Sequence, residues 1–444
     1  MIKTKKLSFR NFYTNFHRNF LALLSGTASQ IMIQMASLPL FLNYLSIEKY
    51  AIWLLSYNVA QITGLLDFGS IAYSQNQISY LSAQKRAEEI DLHLKQIINL
   101  LAINSTIFIL MISLLQIFGS DKFSATLIAV FVCSNILHLI WGLLEALTRI
   151  DSKIAMGLYT SNVLKLCEFL GTVVGVIIFS NNLLKVALIS LVFKTIAFVF
   201  MSINLSTKYR FLRLGVINWN QILIIVRNGA PFFFIRVADM ISLSGLLIVL
   251  HGKISANQFV LFVAARTFFR IGLQVTSLIA HSYSYEMSAS WVSHDAEKMQ
   301  RLIKRSNRIN IILSTIGIVI YLAIGQKLFL YWVNEKIDIN SQIVLWGACY
   351  SFILSVNQNQ KTKFYAINHN FLVSMIQISY SITLVVMVAI SKFSFSVVNL
   401  FILLSLFELL CYVSVAATSR NSINQYFQDL SSTKIINNSK LGNR

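Results

Sequence analysis

Residues 38–78, LPLFLNYLSIEKYAIWLLSYNVAQITGLLDFGSIAYSQNQI, decide how the chain is read. An apolar segment meets a polar turn at Ser46 to Tyr50, a second apolar segment carries one acid, Asp67, and the exit is polar again. Two long apolar runs joined by so short a turn read as an antiparallel pair of membrane helices. Asp67 is then an acid placed inside the bilayer. The rest of the chain repeats this hairpin on a larger scale.

Of the 444 residues, 56% are hydrophobic and only 12% are charged, where soluble domains carry about 25% charged residues. No stretch is long and polar enough to fold as a soluble domain, so the chain is read as an integral membrane protein. A formal charge of +20 in a soluble chain would point to nucleic acid. Here it is read as Lys and Arg on cytoplasmic loops, and no nucleic-acid partner is expected. Lys3, Lys5, Lys6, Arg10 and Arg18 precede the first apolar run with no small-residue cleavage site, so the first helix is expected to be kept. Cys133, Cys167, Cys349 and Cys411 lie in apolar runs without metal-ligand spacing, and neither disulfide, metal nor cofactor is expected.

Apolar runs of about 20 residues fall at 20–44, 51–73, 96–118, 123–147, 154–179 and 183–205, then at 230–250, 256–282, 309–333, 341–360, 371–390 and 395–418. The expected fold is all-α: twelve transmembrane helices in two six-helix lobes, residues 1–215 with a basic N-terminal tail and residues 216–444. With the N-terminus in the cytoplasm, cytoplasmic segments hold 25 Lys or Arg. The outer loops hold five, Lys49, Lys122, Lys253, Lys336 and Lys392. That bias places both termini in the cytoplasm. Long polar connections, 74–95, 206–229 and 283–308, are then cytoplasmic, and the short outer loops leave no domain for chemistry, so no enzyme is expected. At an offset of about 209 residues, IEKYAI from Ile47 meets ANQFVL from Ala256. The halves read as parallel repeats about an axis along the membrane normal, an arrangement that sets a substrate site between the halves near the midplane. Pro39 is expected to kink the first span, Pro231 to open the seventh, and the GTVVG at Gly171 to Gly175 to mark close helix packing.

Seven cations fall inside these spans, Lys165, Lys185, Lys194, Arg236, Arg266, Arg270 and Lys327, with five acids, Asp67, Glu145, Glu168, Asp239 and Glu408. At about 3 kcal/mol each near a helix centre, lipid-facing placement of all of them would cost on the order of 36 kcal/mol, so most face the interior. Lys185 and Lys327 sit near outer ends and snorkel. In the eighth span Arg266, Arg270, Gln274, Ser277 and His281 follow one another at helical spacing, a polar stripe about 22 Å long. Two arginines one turn apart repel, and a structural seam would not need both, so the stripe is read as facing an anion. Asp67, with Ser56, Thr63, Ser70 and Ser74 on its stripe, is either a structural partner for one of the arginines or an ion-coupling or gating group. Lys165 with Glu168, and Arg236 with Asp239, are spaced i, i+3 and read first as self-neutralising pairs. Lys165 and Arg236 also stand as candidate substrate contacts, and Glu168 and Asp239 as candidate coupling acids. His138, Trp141 and Glu145 share a face of the fourth span, read as packing, with Glu145 a further coupling candidate. Lys194 has no acid near it in sequence, and Glu408 no evident partner. Lys194, Arg266 and Arg270 leave the interior net positive, which suits an anion, and arginine's fork suits phosphate oxygens best.

PLFLNYLSIEKYAIWLL from Pro39, LLDFGS at Leu65 to Ser70, AARTFFR at Ala264 to Arg270 and SYSYEMSASWVSHDAEKMQRL from Ser282 carry a resemblance. Together with the helix count, loop pattern and repeat, the chain resembles the O-antigen and polysaccharide flippases of the multidrug/oligosaccharidyl-lipid/polysaccharide exporter superfamily. That resemblance implies a V-shaped pair of six-helix lobes around a cationic cavity open to each side in turn. It implies a cargo of undecaprenyl-pyrophosphate-linked oligosaccharide, an O-antigen or capsule repeat unit, carried from the inner to the outer leaflet of a bacterial inner membrane. Membrane lipids, a proton or sodium ion and other polysaccharide assembly proteins are the partners it implies. The alternatives are a multidrug exporter of the same superfamily, whose cargo is usually cationic, and a polysaccharide polymerase or ligase, which would need a sizeable outer loop.

Overall fold

A computed structural model describes residues 9–118, 122–148, 154–206, 215–292, 295–366, 370–391 and 395–418, and they are almost wholly helical. The helices are α1 (Phe9–Tyr44), α2 (Ile47–Ala60), α3 (Ser70–Ala83), α4 (Ala87–Phe118), α5 (Lys122–Thr148), α6 (Ile154–Phe179) and α7 (Leu183–Ser206). There follow α8 (Trp219–Met240), α9 (Leu246–His251), α10 (Ala256–Val292), α11 (Ala296–Trp332), α12 (Ser341–Ala366) and α13 (Asn370–Ile390), then α14 (Val397–Thr418). Each of the twelve expected spans falls on helix. Among the described residues ten are long and apolar enough to cross a membrane, which makes this a multi-pass membrane protein. The other two are the second span, which is broken, and the tenth, α12, which stays polar as far as Lys363.

Several boundaries differ from expectation. The connections 74–95 and 283–308 are mostly helix: α3 runs to Ala83, α4 begins at Ala87, and α10 extends to Val292. Asp295 caps α11 by accepting from the Lys298 backbone N–H at 2.9 Å. Polar sequence there marks helix that has left the hydrocarbon, not loop. Lys361 and Lys363, counted as loop charges, are buried within α12. Pro231 does not open a helix but lies inside α8, because Asn218, accepting from the Gln221 N–H at 3.2 Å, starts that helix thirteen residues earlier. Pro39 lies inside α1, which stays helical to Tyr44.

The repeat is visible in backbone geometry. Ser46 accepts from the Lys49 N–H at 3.3 Å and Ser255 from the Gln258 N–H at 3.4 Å, so both copies open with a serine cap 209 residues apart. At the far end the Arg86 N–H donates to the Leu81 carbonyl and the Asp295 N–H to the Ser290 carbonyl, each at 3.0 Å, again at that offset.

The chain divides into two compact units, Met1–His251 and Gly252–Arg444. This contact boundary is distinct from the repeat boundary drawn at 215/216. In the first unit α8 packs on α3 and α4, and the segment leading into it is stapled to α4. Gln96 donates to the Val216 carbonyl and accepts from the Asn218 N–H, both at 2.9 Å, and Asn99 donates to the Gly215 carbonyl at 3.0 Å. The GTVVG segment packs as expected: a Cβ on Gly171 would lie 2.8 Å from the Ser190 Cα, and one on Gly175 2.9 Å from the Val186 Cα, drawing α6 onto α7. In the second unit a polar seam joins α10, α11 and α12. Ser355 donates to Thr276 at 2.7 Å and meets Ser314 at 2.7 Å, while Ser306 and Asn359 pair at 2.8 Å.

Candidate functional site

In the first repeat the second span is interrupted. After α2 the chain tightens into a 3-10 turn, Gln61–Leu65, and then breaks, with Phe68 at φ 47° and Gly69 at φ 73°, before α3 begins. A phenylalanine in the left-handed region is strained, a state that persists only where its surroundings impose it. Three causes act here. The Asp67 carboxylate accepts from the Gly69 N–H at 3.1 Å, an Asx-type turn that competes with helix. Gly69 lies against α8 so closely that a Cβ would collide with the Gly229 carbonyl and lie 2.7 Å from the Phe233 nitrogen. Side chains from other helices take up freed carbonyls: Asn104 donates to Leu66 at 2.7 Å and Asn135 to Ala60 at 2.9 Å. Unwound backbone at membrane depth needs such partners.

Asp67 is 0% exposed, and its second oxygen takes Arg236 Nη1 of α8 at 2.7 Å, so the acid and its cation come from different helices. The Arg236 side chain is 39% exposed, so part of it stays accessible beside the sealed acid. Arg236, expected from sequence to pair with Asp239, bridges across helices to Asp67. Asp239 sits exposed at the end of α8.

The other expected i, i+3 pair is replaced. Glu168 on α6 bonds Lys194 of α7 at 2.8 Å rather than Lys165, and Ser134 of α5 donates to Glu168 at 2.6 Å and accepts from Lys194 at 2.7 Å. Lys194, expected to lack an acid, has one, because the glycine-lined seam of α6 and α7 brings it within reach. Lys165 is exposed and has no ion pair among the described residues. His138, read as packing, lies in the electrostatic field of Lys194, Lys165, Glu168 and Arg236, which joins the two clusters into one. Its only sequence signal was a polar residue one turn from Ser134. Glu145 packs against Gly157, away from this cluster.

In the second unit the matching helix, α10, is unbroken from Ala256 to Val292 and carries the arginine stripe. Arg266 points inward and is 5% exposed, beside Tyr350 and within the field of Glu408 and Arg270. Arg270 is half-buried and has no hydrogen bond or ion pair among the described residues. Glu408, without an evident partner in sequence, accepts from Asn357 of α12 at 2.6 Å. Gln274, next along the stripe, is partly buried. Sequence reasoning missed Lys361, buried on α12 in the field of Cys411, because a lysine at the edge of an apolar run reads as loop.

Neither protein-family profiles nor curated protein sequences give a match to the chain. Solved structures do. An inward-facing multidrug resistance MATE family transporter of the MOP superfamily matches with TM-score 0.70 at 12% identity, over 92% of this chain and 99% of that one. An outward-facing structure of such a transporter gives 0.66 at 11%, over 93% and 96%. A MOP superfamily transporter from Pyrococcus furiosus, described by a binding pocket of reverse polarity that suggests a different function, gives 0.61 at 12%, over 93% and 96%. Along nearly its whole length, then, the chain has the fold of the MATE transporters of the MOP superfamily.

Proposed function

We propose that the protein is a flippase that moves a lipid-linked oligosaccharide bearing a diphosphate from the inner to the outer leaflet of a bacterial inner membrane. The observation that carries this reading is the set of cations that are not fully buried: partly exposed Arg236, exposed Lys165 and half-buried Arg270. Lys165 and Arg270 have no acid on them among the described residues, and cations at membrane depth mark sites for anionic groups. Energetics favour the direction. A diphosphate of about two negative charges leaving a cell that is negative inside gains roughly 4.6 kcal/mol per 100 mV. Asp67, Glu168, Glu145 and Asp239 are the candidates for coupling to a proton or sodium ion.

The structural neighbours favour a second reading, a multidrug exporter. One of those neighbours is described by a pocket of reverse polarity, so this fold does not fix the charge of its cargo. Complementation separates the two. In a flippase-null strain with a defined surface glycan, the protein is expected to restore the glycan and leave drug susceptibility unchanged. Restored drug resistance without glycan would establish the exporter reading instead.

A further inference from the structure

The first unit holds one arginine between two claims. Asp67 is sealed from solvent and has two polar partners among the described residues, the Gly69 N–H and Arg236. Arg236 also reaches the Gly64 carbonyl at 3.5 Å, and its side chain keeps 39% of its surface exposed. A guanidinium has five N–H donors in a planar fork suited to phosphate oxygens. An anion arriving at the exposed part meets a group already committed to a buried carboxylate, and turning the fork toward the anion loosens its hold on Asp67. A carboxylate left in a sealed site without its cation takes up a proton.

We propose that Arg236 is shared between Asp67 and a diphosphate anion, so that binding the anion draws one proton onto Asp67. This rests on the anionic cargo proposed above. The proton comes from water and returns to it when the anion leaves, and only an O–H bond forms and breaks. Arg227 and Asp239 share α8 with Arg236, and among the described residues no other cation bonds Asp67. Of the elements around the break, α4 presents Asn104 and α5 presents Asn135, both amides bonded to backbone carbonyls. His138 of α5 and Lys165 of α6 lie further along the cluster, and Lys194 is held by Glu168. On the α3 side His93 of α4 meets Tyr73 edge to face. The second repeat has no counterpart, since Thr276 stands 209 residues after Asp67 in an unbroken helix.

The test is calorimetry on the full-length purified protein, with inorganic pyrophosphate, geranyl diphosphate and sulfate as probes, each in buffers of differing ionisation enthalpy. Wild type is expected to take up roughly half to one proton per anion and to bind up to about tenfold more tightly for each pH unit lowered. Asp67→Asn is expected to bind at least as tightly, since Arg236 is released, and to lose this uptake. Sulfate carries no titratable proton near neutral pH, so wild type alone gives a reading even where Asp67→Asn does not fold. Binding with no uptake, or uptake that survives in Asp67→Asn and so belongs to His138 or another group, would overturn the proposal and leave the anionic cargo standing. Failure of every probe to bind wild type would overturn both.

Discussion

Asp67 shows what burial demands of a single charge. Removing Arg236 would leave a carboxylate sealed without a cation, and breaking a buried pair from one side costs about 3–5 kcal/mol. Arg236→Ala is therefore expected to lower the thermal unfolding midpoint in detergent sharply, and Asp67→Asn combined with Arg236→Gln to recover most of that loss. Gly229→Ala is expected to destabilise by about 1–3 kcal/mol in the same assay, because its Cβ would lie 2.8 Å from the Phe68 carbonyl oxygen. An arginine partner for Asp67 was one of the two readings the sequence left open. Its choice of arginine was not, since spacing along one helix reveals only neighbours on that helix. The same limit hid Lys194 and Glu168, which belong to different helices that glycines allow to touch.

At the scale of elements, the contrast between the two copies of the repeat is the main finding. Both open on a serine, so Ser46→Ala and Ser255→Ala are each expected to cost about 1 kcal/mol, readable as matched shifts in unfolding midpoint. They diverge afterwards: one copy breaks at Asp67 and Gly69, the other runs straight past Arg266 and Arg270. The fold therefore does not impose the break. It comes from LLDFGS and from the amides that satisfy its carbonyls. Asn104→Ala removes the donor to Leu66, and amide hydrogen exchange across residues 66–70 is expected to accelerate in that variant while exchange in α10 stays unchanged. Hydropathy located twelve spans but could not see this interruption, because a window of about 20 residues averages Asp67 and Gly69 with the apolar residues on either side.

For the whole molecule, charge distribution and cargo are the testable properties. Reporter fusions at either terminus are expected to read as cytoplasmic, as the Lys and Arg bias requires. Arg270→Ala is expected to cut glycan export severalfold with insertion unchanged, measured by surface glycan against protein in the membrane fraction. Arg266→Ala is expected to impair export together with stability, since Arg266 is packed beside Tyr350 in the interior of its unit. Helix number and the repeat were legible because bilayer thickness and lipid solvation write them into composition. Of the proposed cargo the sequence offers only a sign of charge, since apolar motifs specify packing.

Helices α10 and α11 each run 37 residues, about 55 Å at the helical rise across a hydrocarbon layer about 30 Å thick. An upright rod of that length reaches about 25 Å beyond the hydrocarbon, a stiff handle. Leaning such a rod by 10° about one tip would swing the other by about 10 Å. An antibody fragment or tether gripping that stalk is expected to brake the transport proposed above without touching Arg236, Lys165 or Arg270.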